Sequence, residues 1–352
     1  MAVKPQDASI QIASFYHFSP VPAAELKRLA DVLEKRGKEL ELKGLIIFGA
    51  EGINGTISGL TREAVLNYLH EASSLLGIPE LQARWSASGA LPFRKFKVRR
   101  RVEIVTLGKP DILPKTPVNH HLTPAEWQKA LEEEDVLVLD TRNWYETRIG
   151  TFTNAIDPKL HEFSEFGAYL DKTDIPKDKK ILIYCTGGIR CEKAILEMNE
   201  KGFANVHQLQ GGILNYLSQF PNRNFEGECF VFDQRVAVDQ ELKPSNAYKL
   251  CPHCGQPADQ TVICPRCSAD AVVCPDCTAQ DITRTCSKNC SHHYTLRPGQ
   301  KGKSQKQGYR YEAAAARPRS LASQSLNDLK LFSSEGRNDA TGDSDSENAH
   351  RR

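Results

Sequence analysis

No stretch of the 352-residue chain approaches eighteen consecutive apolar residues, so a membrane-spanning helix is not expected. Net charge is nearly absent: 46 Lys and Arg against 44 Asp and Glu leave +2, and any electrostatic address must come from local clustering. The start, Met1-Ala2-Val3-Lys4-Pro5, lacks the charged stretch and apolar core of a signal peptide, which points to a cytoplasmic protein with reduced thiols. There is no repeat of 20–50 residues and no Gly-x-Gly-x-x-Gly dinucleotide turn. A two-histidine, one-carboxylate iron pattern is missing too, and His120-His121 reads as a solvated pair. With 40% hydrophobic residues the chain is not disordered as a whole, and its length suits two or three domains.

What the sequence does have is 11 cysteines, eight of them between Cys251 and Cys290. In a reducing compartment these point to metal and catalysis before disulfides. The spacings are Cys251-x2-Cys254, Cys264-x2-Cys267, Cys274-x2-Cys277 and Cys286-x3-Cys290. Each pair suits a zinc knuckle, and four pairs make two four-thiolate sites with structural zinc. Sequential and cross-braced pairing are both open, His253, His292 or His293 can replace a thiolate, and an iron–sulfur cluster is the minority alternative. So small a domain with few large apolar residues needs its metal to fold.

Elsewhere, periodicity predicts a strand over 10–18, a helix over 22–42 with Leu26, Leu29, Val32 and Leu33 on its apolar face, and a strand over 44–48. A turn at 51–55, a strand at 56–58, a helix over 61–76 and strand-like segments near 81–85 and 97–107 complete a β-α-β-β-α-β order. Residues 107–118, with three prolines, read as a linker. Thr123-Pro124-Ala125-Glu126 is a helix start. Short apolar strands then alternate with helices, as in a parallel sheet. The expected architecture is a multidomain α/β chain. A ferredoxin-like α+β domain (8–108) and a linker (109–119) precede a parallel α/β domain (120–222). A cysteine-rich zinc-binding domain (223–296) and a disordered tail (297–352), with a possible short helix at 312–316, follow.

The most informative segment is Ile181-Leu-Ile-Tyr-Cys185-Thr-Gly-Gly-Ile-Arg190-Cys191-Glu-Lys193. A buried strand delivers Cys185 to a glycine loop that runs into a helix. Backbone N–H groups and the helix N-terminus favour thiolate there, and the Arg190 fork can orient an anion. Cys185 is the candidate nucleophile. Cys191 is either a resolving thiol or a packed one. This segment resembles a rhodanese domain, together with Asp140-Thr-Arg142, Glu146, Gly150 and Gln208-Leu-Gln-Gly-Gly212. Asp140 and Arg142 read first as an ion pair fixing a strand end and second as support for the site. The six-residue loop from Cys185 to Arg190 favours sulfur chemistry over phosphate. Cys229 has no motif around it.

From Arg84 to Lys109 there are eight Lys or Arg and one acidic residue, Glu103. Arg94, Lys95, Lys97, Arg99, Arg100 and Arg101 interleave with Phe93, Phe96 and Val98, which suits phosphates and stacked bases. The bland alternative is an edge strand guarded by charge. With Gly49-Ala-Glu-Gly-Ile-Asn-Gly-Thr56 and Phe230-Val-Phe-Asp-Gln-Arg235, the chain from about 10 to 240 is similar to the oxygen-dependent tRNA uridine 5-hydroxylase family. That resemblance implies hydroxylation of the wobble uridine at C5 with molecular oxygen as co-substrate, tRNA as partner and Cys185 as the essential cysteine. Addition of Cys185 to C6 of the uracil would make C5 electron-rich toward oxygen. The alternative is a persulfide-carrying sulfurtransferase fed by a sulfur-donor protein.

Overall fold

The structure is a computed structural model, and it describes residues 9–114, 120–280 and 283–294. The expectations of a tail over 297–352 and a helix at 312–316 lie outside the described residues. Among the described residues no helix is long and apolar enough to cross a membrane.

The N-terminal domain contains β1 (Ile10–Phe18), α1 (Leu26–Glu39), β2 (Lys43–Gly49), β3 (Gly52–Gly59), α2 (Arg62–Leu76), β4 (Arg84–Ser88) and β5 (Phe96–Arg100). The sheet order is β4-β1-β3-β2-β5. Its first four strands are the split βαβ arrangement the sequence predicts, and β5 adds a parallel edge beside β2. On α1, Leu26, Leu29, Ala30 and Leu33 face the sheet, whereas Val32, expected on that face, is exposed. The smaller Ala30 takes its place, one turn below Leu33. Thr61 caps α2 by accepting from the Ala64 N–H at 3.2 Å, and Gly77 ends it with left-handed backbone.

Of the expected turn at 51–55, residues 52–55 are instead strand. The register Gly49↔Gly52 places the hairpin turn at Ala50–Glu51. Gly52, at φ +135°, and Gly55 mark close approach rather than a turn. A Cβ at Gly52 would sit 2.1 Å from the His17 carbonyl oxygen, and one at Gly55 2.8 Å from Ile46. The β5 edge is blunted by α1, because Glu34 accepts the outward N–H of Val98 and the Lys97 ammonium, each at 3.0 Å.

The second domain contains β6 (His121–Leu122), α3 (Pro124–Ala130), β7 (Val136–Asp140), α4 (Trp144–Thr147), β8 (Gly150–Phe152), α5 (Phe166–Leu170), β9 (Lys180–Tyr184), α6 (Ile189–Glu200), β10 (Val206–Leu209) and α7 (Gly212–Leu217). Four strands form a parallel sheet in the order β6-β10-β9-β7. Ile181 and Ile183 of β9 pack into one core with Ala194 and Phe166, while Leu182 and Tyr184 pack into another with Trp127 and Tyr216. A strand buried on both faces is why β9 reads as a continuous apolar run. The capping box at Thr123 and Glu126 forms as its spacing predicts. Leu107 and Ile112, from the stretch read as a linker, are buried in the first of these cores.

Beyond α7 the chain returns to pair Phe225–Gly227 with β8, and Cys229–Phe230 makes a hairpin with Ala237–Val238. Two further hairpins, Lys249–Leu250 with Pro257–Ala258 and Thr261–Ile263 with Asp270–Val272, frame the cysteine-rich part. Its buried apolar core is small: Ala258, Val262 and Val273 beside Cys251 and Cys274.

One buried cation joins the two larger domains. Lys193 of α6 is fully buried, with Nζ 2.7 Å from a carboxylate oxygen of Glu51 and 2.7 Å from one of Glu103. Burial pushes the Glu51 carboxyl up, against the pull of Lys193. Removing one member of such a set leaves the others unpaired in low dielectric. Lys193→Met is therefore expected to cost about 3–5 kcal/mol in urea unfolding. Much of the loss should return in the Lys193→Met, Glu51→Gln, Glu103→Gln triple variant; equal destabilisation of both would refute the assignment.

Candidate active site at the Cys185 loop

β9 ends on Tyr184 and delivers Cys185 to the loop in front of α6. Gly188, at φ +99°, turns its N–H onto the thiol, 3.1 Å from Sγ. Burial alone would raise the pKa of this 1%-exposed thiol. It is outweighed by a hydrogen bond from Cys191, the Arg190 charge and the N–H groups of Arg190 and Gly187, which together lower it to about 6. Cys191 is driven the other way, by burial and by its bond to Cys185, so it is the protonated partner. Its sulfur also lies 3.7 Å from the Thr141 hydroxyl, which itself donates to the Tyr184 carbonyl at 2.9 Å. The structure thus brings Cys185, Arg190 and Cys191 together.

The Arg190 Nη2 donates to Glu146 at 2.8 Å, its Nη1 is buried without a protein acceptor, and its guanidinium lies 5.4 Å from the centre of the Phe232 ring. Glu146 is fully buried and also accepts from the Thr186 hydroxyl at 3.4 Å. A buried cation with one donor unmatched can receive an anionic or carbonyl oxygen. Asp140 and Arg142 form a bidentate pair, both fully buried, and Arg142 also donates to the Gly150 carbonyl at 2.6 Å. That geometry fixes the end of β7 against β8 rather than addressing the thiol. Cys229 is sealed in the core, where burial raises its thiol to about 12.

The N-terminal domain supplies a wall that residue patterns did not reveal. The Tyr16 hydroxyl of β1 donates to Glu192 at 2.8 Å and lies beside Gly188. Its ionisation is pushed far up by burial and then by Glu192, so it stays a donor. Arg84 stacks 5.2 Å from the Tyr16 ring. His121 is not a solvated linker residue: it is half-buried and bonds Glu192 at 3.0 Å and Gln208. The only sequence signal for this cluster was Glu192, inside the Cys-Glu-Lys run. Tyr16 lies 176 residues away, within an ordinary strand.

The basic stretch does not form one patch. Arg94 and Lys95 are exposed in the loop before β5, while Lys97, Arg99, Arg100 and Arg101 are half-exposed. Strand alternation puts Lys97 and Arg99 on the face opposite Phe96, Val98 and Arg100.

The eight C-terminal thiols are all free and gather into two sets, Cys251, Cys254, Cys274 and Cys277, then Cys264, Cys267, Cys286 and Cys290. The pairing is therefore cross-braced. Within each set the sulfurs lie within 4.8 Å of one another. Cys254 and Cys274 are 3.4 Å apart, Cys267 and Cys286 3.5 Å. Four thiolates at ~2.3 Å around one tetrahedral ion stand about 3.8 Å apart, so the donor sets fit a single ion each. His253 bonds the Thr285 carbonyl instead, at 2.7 Å, and neither His292 nor His293 joins a set.

Fold and site together define a rhodanese-type protein with an appended N-terminal α+β domain and a cysteine-rich C-terminus. Family models match accordingly: a UPF0176 acylphosphatase-like domain over residues 10–104, a rhodanese-like domain over 123–219 and a Rhodanase C-terminal domain over 226–291. The chain is 46% identical over 296 residues to the tRNA uridine(34) hydroxylase of Bdellovibrio bacteriovorus, covering 84% of each. It is 41% identical over 250 residues to that of a Synechocystis species (70% of this chain, 88% of the relative). For Prochlorococcus marinus the figure is 40% over 254 residues (70% and 79%). The chain belongs to the tRNA uridine(34) hydroxylase family.

The thiol geometry carries a measurable consequence. Alkylation of Cys185 should rise with pH to a midpoint near 6, because the thiolate forms above its lowered pKa. Arg190→Met removes the stabilising charge and should move that midpoint upward. Mass-spectrometric alkylation profiles of the two proteins check this; coincident curves would contradict it.

Proposed function

We propose that this chain hydroxylates C5 of uridine 34 in tRNA, with molecular oxygen as co-substrate and Cys185 as the reacting thiolate. The observation that carries the reading is a low-pKa rhodanese thiol walled by a second domain, in a chain of this family. A wobble base sits in a single-stranded loop and can be turned out without breaking a base pair. The exposed Arg94 and Lys95 and the half-exposed cations of β5 supply contacts to the anticodon-loop phosphates. Attack of the thiolate on C6 places an electron pair at C5. One oxygen atom of O2 then becomes the C5 hydroxyl, the other leaves as water with two electrons and two protons from an external reductant, and loss of the C5 proton expels the Cys185 thiolate by breaking the S–C6 bond. Arg190 holds a uracil oxygen through its unmatched Nη1, and Cys191 keeps the thiolate solvated within the protein. Asp140 and Arg142 act only by fixing the strand. A sulfurtransferase reading is not favoured: it needs neither the Tyr16–Glu192 wall nor the basic strand. The cytoplasm, where tRNA is modified, is the site of action.

We assign zinc to both thiolate sets. A single ion of this softness suits four cysteines, and the close sulfurs leave no room for a cluster spreading them over several irons. The zinc orders the hairpins around 249–272, whose apolar core is too small to do so alone.

Two measurements test these readings. In cells expressing Cys185→Ser in place of the natural chain, tRNA nucleoside mass spectrometry should show loss of 5-hydroxyuridine derivatives. Unchanged levels would defeat the proposal, and loss of thiolated nucleosides would favour sulfur transfer. Elemental analysis of the purified chain should find two zinc ions, and chelation should collapse amide protection in the C-terminal hairpins but not in β7, β9 and β10. Iron at two per chain would overturn the metal assignment.

A further inference from the structure

We propose that Phe232 is the surface on which the target uracil stacks before it meets Cys185. The inference rests on the tRNA hydroxylase reading and names how that substrate is held. Within Phe230-Val231-Phe232, the first two side chains are buried and only Phe232 is open, at 36% exposure. A single open apolar side chain is ordinary on a protein surface, so the case for Phe232 rests on its place beside the arginine that closes the Cys185 loop.

Its position is that of a rim. The Arg190 guanidinium lies 5.4 Å below the ring, and Arg190 is the residue that closes the Cys185 loop. The Phe230 carbonyl accepts from Thr186, the residue after Cys185, at 3.5 Å. Phe232 thus meets the loop through Arg190, and its segment meets the loop through Phe230.

The ring is also rigidly mounted. It meets Phe230 edge-on, centres 4.9 Å apart at 89°, and Phe230 meets Tyr145 edge-on at 5.4 Å. The turn that carries it is clamped by the Arg235–Asp233 pair, with Val231 N–H bonded to the Val236 carbonyl at 2.9 Å. A base that stacks on a fixed ring loses less freedom than one that must order its own platform.

Finally, this rim is continuous with the basic loop. The Gln234 N–H donates to the Pro92 carbonyl at 3.0 Å, and Arg235 donates to Ser86 of β4 at 2.8 Å. Exposed Leu91, Arg94 and Lys95 thus border the turn that presents Phe232. Cations for a backbone beside one open aromatic face are the chemistry of single-stranded RNA held by stacking, and a uracil is the base this site would turn over.

The test uses the full chain with an anticodon stem-loop RNA bearing uridine 34, and the same RNA abasic at 34. Phe232→Ala and Phe232→Leu should each lower kcat/KM about 5- to 150-fold, while Phe232→Trp stays within about threefold, because stacking needs a ring and not merely bulk. The Cys185 alkylation midpoint should not move in these variants, which separates loss of stacking from damage to the loop. The added emission of Phe232→Trp, above the three natural tryptophans, should be quenched by the uridine RNA and not by the abasic one. Full activity in Phe232→Leu, or equal quenching by both RNAs, overturns the proposal. If Cys185→Ser itself hydroxylates normally, the hydroxylase mechanism fails rather than the platform.

Discussion

The buried Lys193, shared between Glu51 and Glu103, is the interaction on which the site depends. It fixes the first turns of α6 against the N-terminal domain, and those turns carry everything else. Arg190 reaches Glu146, Cys191 bonds Cys185, Glu192 receives Tyr16 and His121, and Lys193 anchors the set. Successive residues on a helix point about 100° apart, so four neighbours can address four different partners. A fold that lets one helix turn do this must hold that turn rigidly, and a fully buried ion triad does so at the cost of desolvation.

That cost clarifies why several buried ion pairs surround one thiol. Asp140 with Arg142 and Asp233 with Arg235 use the same local geometry, in which the arginine donates both its backbone N–H and its guanidinium to an aspartate two residues earlier. Buried pairs of this kind add little net stability compared with apolar side chains of similar volume. What they supply is direction. One pair fixes β7 beneath the loop, the other fixes the turn at its rim, and Glu146 holds Arg190 between them. A thiolate stabilised by N–H groups needs its donors held within tenths of an ångström, because charge–dipole energies fall steeply with distance.

Much of this was legible in the residues. Strands with both faces buried read as apolar runs, the Thr123 capping box declares its helix, and the strand–Cys185–Gly–Gly–Arg190 order is a local signal that survives folding unchanged. The paired cysteines declare thiolate sites for the same reason. What escaped the reading depends on distance along the chain. Spacing within each knuckle says nothing about which knuckles share an ion, so the cross-brace had to be seen. Gly52 and Gly55 look like turn residues until the close approach of His17 and Ile46 shows that they belong to a strand. Val32 falls at helical spacing but one position off the buried stripe. Tyr16 and His121 acquire meaning only when β1 and β6 converge on Glu192.

The near-neutral charge of the chain bears on how it would find its substrate. Lys97 is partly neutralised by Glu34, and Arg84 is turned inward onto Tyr16, so several of the clustered cations do not project freely. Positive surface remains on the loop before β5, next to the turn that presents Phe232, and on the half-exposed Arg99 and Arg100 of β5. A protein that gripped RNA by a broad basic face would bind every tRNA through its phosphates, with strong dependence on salt and little on sequence. Cations confined to one loop and one edge strand leave discrimination to the base itself. On the stacking proposal, specificity would reside in the inserted nucleotide, and phosphate contacts would chiefly set the register of the anticodon loop.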